Sequence, residues 1–391
     1  MPLPPESNLP AAVVHPAWAG EPGDGGSYRK RGLTSYLAGL AGANFQEVVL
    51  SCGSSRLTRG ARSLVDLADF ALRTRARAVL FFYPALPLFH PASGFKLPAL
   101  AVWLAVVRCT LRGRGVRIVL DVEDLPEPQH RELFDVPHSA GLATISTAER
   151  WLGRFADEVW IPSVSLGDRW REATERPGQP LRIVPTGAER QAAPAPNRRR
   201  PGIRFLYAGT LAREQERGVE RLLRDFQAAA ARATPPAKLV LAGPGGDWLR
   251  KRALGDRVEL AGALEAEQAE ALAAGCDWGL VPYPERGYFH DVFPAKLSFY
   301  TACGLPVLTT NLRETAAAVR RHGVGRVASE GDWARVLAEL ASSPPPPRVA
   351  CPWLWADLLG EVVPPRESAP ERDPQDPGNR IGACVPNRRH V

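Results

Sequence analysis

A chain of 391 residues exceeds what one hydrophobic core comfortably supports, so two domains of ordinary size are expected. Its formal charge of +7 and pI near 9.3 suit anionic partners such as nucleotide diphosphates, but the arginines are scattered, with one run at 198–200, which argues against nucleic acid. The six cysteines never stand in Cys-x-x-Cys spacing and no histidine cluster accompanies them, so buried thiols in a reducing compartment are expected rather than a zinc site. The first sixteen residues lack a basic segment followed by a long apolar one, so no secretory leader is expected and the cytoplasm is the expected location. The longest apolar stretch, 95–107, is too short to span a bilayer and contains Lys96 and Pro98.

In chain order, residues 11–15 read as a strand, AGEPGDGGSYRKRG (19–32) as a glycine-rich loop and 28–40 as an amphipathic helix, the opening of a doubly wound α/β domain. Gly25 and Gly26 let backbone approach a ligand, or else form a plain flexible turn. A strand at 47–51, a helix at 61–73 and the continuous apolar strand AVLFFY at 78–83 follow, the last typical of a parallel sheet. Residues 95–112 form either a core helix, the favoured alternative, or one leaning on a membrane interface through Trp103 and Leu104. The strand VRIVLD (116–121) ends in Asp121, Glu123 and Asp124. Carboxylates beyond a strand's carboxyl end face a cleft in open α/β sheets, where one can orient a substrate hydroxyl or take its proton; the alternative is a solvated turn before Pro126 and Pro128. His130 and His138 sit on a Pro-flanked loop. Helices at 139–155 and 167–173 and strands at 158–161 and 181–184 complete this half, and the polar, Pro-rich, basic segment 188–202 reads as a linker.

The second half restarts with strand 203–208, a glycine and basic loop containing Arg213 and Arg217, and helix 219–232, again a nucleotide-binding opening. Either arginine could instead form an i,i+3 surface pair, Arg213 with Glu216 and Arg217 with Glu220. Strand 238–242 ends in Gly243-Pro244-Gly245-Gly246, where backbone can approach a nucleotide. Strands at 258–260 and 278–281 and a helix at 268–274 lead to the segment DVFPAKLSFYTACGLPVLTTN (291–311). This is a loop, a short helix carrying Lys296, a break at Gly304-Leu305-Pro306 and a buried strand, and the unpaired N–H groups at its helix start suit an anionic ligand. Helices at 312–322 and 333–341, a strand at 324–328, four prolines, an apolar segment at 352–359 and a Pro- and charge-rich end follow.

Pro294, Lys296, Leu297, Ala302, Cys303, Gly304, Pro306 and Val307 resemble the donor-sugar segment of GT-B glycosyltransferases, family 4 and its relatives. The resemblance implies two Rossmann-like doubly wound α/β domains facing across a cleft, with an acceptor-side domain at 1–187, a linker at 188–202, a nucleotide-sugar domain at 203–342, a crossover helix region at 343–363 and a disordered tail at 364–391. It assigns donor contacts to Gly25, Gly26, Arg213, Arg217, Gly243, Lys296, Leu297 and Ser298, with Arg217 matching the second of a basic pair that neutralises the donor diphosphate. It places Asp291 over the sugar and, through the D-x-x-D turn, makes Asp121 and Asp124 catalytic candidates. The family carries a second carboxylate eight residues after the first; here that position is Phe299.

The implied reaction is transfer of a sugar from a nucleotide-diphosphate sugar to an acceptor hydroxyl on a glycan, lipid-linked or small molecule, with retention of configuration, or with inversion should a carboxylate of the 121–124 turn act as base. No Asp-x-Asp motif is present, so no metal and no cofactor beyond the donor is expected, and a peripheral contact with the inner membrane face is allowed. A GT-B epimerase and a non-catalytic nucleotide-sugar-binding subunit are the alternatives, the latter because Phe299 and Thr210 stand where the family prefers charge.

Overall fold

The computed structural model describes residues 9–16, 25–50, 56–84, 86, 89–90, 94–133, 140–192, 202–213, 217–231, 236–252 and 254–360. The predicted linker lies partly, and the predicted tail wholly, outside these residues, as does His138.

The first half supplies strands β1 (Ala12–Pro16), β2 (Gln46–Leu50), β3 (Ala78–Tyr83), β4 (Phe89–His90), β5 (Gly94–Phe95), β6 (Arg117–Val122), β7 (Glu158–Ile161) and β8 (Leu181–Ile183). Its helices are α1 (Gly25–Ala41), α2 (Arg56–Arg73), α3 (Leu97–Gly113), α4 (Pro126–Leu133), α5 (Ala140–Phe155) and α6 (Val164–Thr174). The second half supplies β9 (Arg204–Ala208), β10 (Lys238–Ala242), β11 (Val258–Gly262), β12 (Trp278–Val281), β13 (Val307–Thr310) and β14 (Gly325–Ala328). Between them run α7 (Val219–Ala230), α8 (Asp247–Arg250), α9 (Ala266–Ala274), α10 (Ala295–Ala302), α11 (Arg313–His322) and α12 (Trp333–Ala341), and α13 (Trp355–Gly360) closes the described chain.

Two six-stranded parallel sheets result, ordered β2-β1-β3-β6-β7-β8 and β11-β10-β9-β12-β13-β14; β4 and β5 form a separate ribbon. Helices cover both faces of each sheet, so side chains that alternate up and down along a strand are buried either way. In β3, Ala78, Leu80 and Phe82 enter one core while Val79, Phe81 and Tyr83 enter another. β9 divides likewise, with Phe205 and Tyr207 on one face and Leu206 on the other. This is the expected doubly wound architecture, present twice.

Two expectations are corrected. The Pro-flanked loop after Asp124 is largely helix α4: Pro126 occupies its first position and Pro128 its first turn, where no intrahelical N–H bond is lost. The membrane alternative for α3 through Trp103 and Leu104 also fails, since both are buried and the Trp103 indole N–H donates to Ser63 Oγ of α2 at 2.8 Å. Among the described residues no helix is long and apolar enough to cross a membrane. Cys276, Cys303 and Cys351 are buried free thiols, whereas Cys109 is exposed on the outer side of α3.

The halves are stitched together near the carboxyl ends of both sheets. The backbone N–H of Leu125 donates to the Tyr288 hydroxyl at 2.7 Å, and the hydroxyls of Ser163 and Ser298 donate to the carbonyls of Asp291 and Thr186. Beyond α12 the chain runs back to the first half: Ala188 and Trp355 exchange backbone bonds with Trp353 and Ala188, and Trp355 and Leu359 of α13 join the core beneath α1.

Candidate active site

A cavity of about 510 Å³ lies between the two sheets at their carboxyl ends. In the second sheet the strand order reverses direction between β9 and β12, and the loops leaving such a switch point diverge to leave a crevice. Ala208, Gly209 and Thr210 after β9 and Tyr283 after β12 line it from that side; Pro84, Glu123 and Asp124 line it from the first sheet.

The C-terminal wall is cationic. Arg217 reaches the cavity because Gly218, at φ +78°, lets the chain run against the end of β12; a Cβ there would lie 1.8 Å from the Pro282 carbonyl oxygen. Arg217 Nη1 donates to the Tyr283 hydroxyl at 2.9 Å, and its guanidinium lies 5.5 Å from the ring centre. Lys296, in the first turn of α10, donates Nζ to the same hydroxyl at 3.2 Å and stands over the rings of Tyr207 and Tyr283. Burial alone would raise the phenol of Tyr283, but Arg217 and Lys296 outweigh it and draw it down to about 8. Burial depresses Lys296, with Tyr283 opposing the shift.

Gly209 holds this cluster together. At φ +146°, a Cβ on it would fall 2.2 Å from Lys296 Nζ. Gly209→Ala is therefore expected to strain the turn by about 1–3 kcal/mol and push the ammonium aside. The Lys296–Tyr283 hydrogen bond should be lost and Tm should fall by a few degrees, with far-UV circular dichroism unchanged.

The N-terminal wall carries carboxylates beside cations. Glu123 stands 3.4 Å from Lys30 of α1, and burial pushes its carboxyl up to about 7 despite that lysine. Burial also raises Asp124, against the pull of the Tyr288 hydroxyl, which donates to Asp124 Oδ1 at 3.0 Å, and of Arg217 across the cavity. Among the described residues no group of three His, Cys, Asp or Glu is disposed to hold a metal ion.

The structure brings Arg217, Lys296, Gly243 and Asp124 together on this cavity and leaves the other expected residues elsewhere. Asp121 is fully buried, gripped by Nε and Nη2 of Arg29 at 3.0 and 2.5 Å, and so anchors α1 to β6; the cavity-facing carboxylates are its neighbours Glu123 and Asp124. Asp291 is 1 % exposed, its carboxylate held by Arg169 at 2.5 Å and Arg313 at 3.1 Å rather than in the lining. Arg213 is exposed and pairs with Glu220 at 3.2 Å, outside the lining. Leu297 is buried in the core and Ser298 donates its hydroxyl to the Thr186 carbonyl, so neither is in the lining. Gly25 and Gly26 form the start of α1 rather than a loop, and residues 17–24 lie outside the described ones.

Tyr283, Tyr288 and Lys30 are among the lining residues that sequence reasoning left without a role, and Glu123 lines the cavity as one of the carboxylates expected after β6. Tyr283 carried a usable signal, since it directly follows the apolar strand that precedes the Lys296 segment. Phe299, at the position of the family's second carboxylate, also lines the cavity, as do Ala266, Ala269 and Glu270 of α9.

Residues 202–343 match the family model for glycosyl transferases group 1. No curated protein sequence matches the chain. Among solved structures, sucrose-phosphate synthase from Thermosynechococcus elongatus is similar at 15% identity and a TM-score of 0.59, over 90% of this chain and 92% of that one. WaaG, a glycosyltransferase involved in lipopolysaccharide biosynthesis, aligns at 14% identity and 0.55, over 90% and 98%. HepE of Anabaena, solved in complex with UDP, aligns at 14% and 0.54, over 84% and 89%. Residues 202–343 thus match glycosyl transferases group 1, and the chain as a whole shares the two-domain α/β fold of these solved structures.

Proposed function

We propose that the cavity binds a nucleotide-diphosphate sugar against Arg217 and Lys296 and passes its sugar to an acceptor hydroxyl held by the N-terminal wall. The observation that carries this is the convergence of both cations on one point, the Tyr283 hydroxyl, at the switch point of the second sheet. When the bond from the anomeric carbon to the diphosphate breaks, negative charge grows on the leaving oxygens. Two fixed cations in a partly desolvated wall stabilise that charge without rearranging. The nucleoside then extends along Gly243 and Ala263–Leu264, towards α9.

Glu123 and Asp124 face the sugar from the other side, and Lys30 gives the acceptor a hydrogen-bond donor beside them. In this reading the configuration at the anomeric carbon is retained, no metal is needed, and the acceptor's proton leaves on the departing phosphate. Asp121 and Asp291 act by positioning α1 and the segment leading into α10, not by touching the sugar. The nucleotide domain corresponds to 203–342, and the enzyme works in the cytoplasm on a glycan, small-molecule or lipid-linked acceptor.

A thermal-shift screen of UDP, GDP, ADP, CDP and TDP tests the reading. One diphosphate should raise Tm by several degrees and its monophosphate by much less, since two phosphates are needed to meet both cations. Equal shifts from the monophosphate and diphosphate would place the nucleotide elsewhere.

A further inference from the structure

Tyr283 is 3 % exposed, yet its hydroxyl ends at the cavity wall between two cations. A phenol accepting from both Arg217 Nη1 and Lys296 Nζ takes the place of an anionic oxygen. Its ring is fixed from behind: Phe289 packs at 5.0 Å between centroids, and the Thr310 hydroxyl donates to its carbonyl at 2.5 Å. The hydroxyl is thus held still at the point where the two cations meet.

Resting on the donor reading above, we infer that Tyr283 is itself a diphosphate-binding residue: its hydroxyl holds Arg217 and Lys296 in place in the free enzyme and donates a hydrogen bond to a phosphate oxygen in the complex. The exchange follows from donor and acceptor counts. Neither Arg217 nor Lys296 can accept a hydrogen bond, so in the free enzyme the phenolic oxygen supplies the acceptor. Once phosphate oxygens take over that role, the phenol can remain beside them only as a donor, with its proton on.

The binding equilibrium therefore carries a proton. The groups facing the hydroxyl are Arg217 from the loop before α7, Lys296 from α10 and Tyr207 from β9, with Asp124 acting on Arg217 from the opposite wall. In the free enzyme the two cations hold Tyr283 near 8. A bound diphosphate brings negative charge and raises it. Binding above that pH then takes up about one proton, and affinity falls about tenfold per pH unit. Below it, affinity is level.

Calorimetry with the tightest-binding nucleoside diphosphate of the five, from pH 7 to 9.5 in two buffers of different ionisation enthalpy, tests this on the full chain. The wild type should lose about tenfold in affinity per pH unit above about 8 and take up protons as it binds. Lys296→Arg, whose guanidinium stays charged throughout, should keep that slope. The Tyr283→Phe/Lys296→Arg double variant should bind several-fold more weakly at pH 7 and show no slope. A level profile in the wild type, or a slope that vanishes in Lys296→Arg or survives in the double variant, overturns the role of Tyr283 while leaving the donor site intact. Should the Arg variant not bind at all, proton uptake in Tyr283→Phe alone decides: uptake equal to wild type refutes the inference. Failure of wild type to bind any of the five would instead refute the donor reading.

Discussion

Arg217→Ala should lower kcat by about a hundred- to a thousandfold, the loss of about 2.7–4 kcal/mol expected when one preorganised donor to a developing anion is removed. Ground-state binding of the nucleoside diphosphate should weaken less, because Lys296 and the start of α10 remain. The alternative role, an exposed i,i+3 partner of Glu220, predicts almost no effect. It is disfavoured by geometry: Glu220 pairs instead with Arg213 and Arg252, while Arg217 meets Tyr283. Arg217→Lys should recover only part of the rate, since an ammonium cannot both stack on the Tyr283 ring and offer a planar fork of donors. Diphosphate release from the donor sugar, measured beside the melting temperature, checks this. A drop in rate matched by unfolding would point to a merely structural arginine.

Much of the fold was readable because both faces of both sheets are covered. Covered strands must be apolar throughout, so strands expected at 238–242 and 278–281 appear as Lys238–Ala242 and Trp278–Val281. The cationic wall was readable for a related reason: Arg217 and Lys296 lie in the segments that follow β9 and β12, where a parallel sheet opens a crevice. What remained hidden depends on contacts between distant parts of the chain. Asp121 and Arg29 are 92 residues apart, and only the packing of α1 on β6 reveals that the last strand carboxylate is neutralised internally. Local rules also misled at α4, where two prolines read as breakers although a first helical turn accepts them. Phe299 is the remaining departure. An aromatic ring stands in the lining where the resemblance implied a carboxylate.

Asp291 separates a catalytic role from an architectural one. Its carboxylate joins Arg169 of α6 in the first half to Arg313 at the start of α11 in the second, and its carbonyl accepts from Ser163. Arg169 goes on to pair with Glu132 of α4 at 2.6 Å and stands 5.9 Å from the Tyr288 ring, so one carboxylate organises the elements behind both walls of the cavity. Asp291→Ala leaves a partly buried guanidinium without its nearest anion, and breaking such a pair by removing one partner costs about 3 kcal/mol or more. The expected result is a fall in Tm of several degrees, with kcat in the folded fraction reduced less than the change at Arg217. Asp291→Asn should destabilise similarly, because the amide keeps the shape but loses the charge that faces two arginines. Denaturant melts and steady-state rates on the same preparations distinguish the roles. A stable Asp291→Asn protein with catalysis abolished would mean that the carboxylate leaves Arg169 and reaches the sugar during turnover.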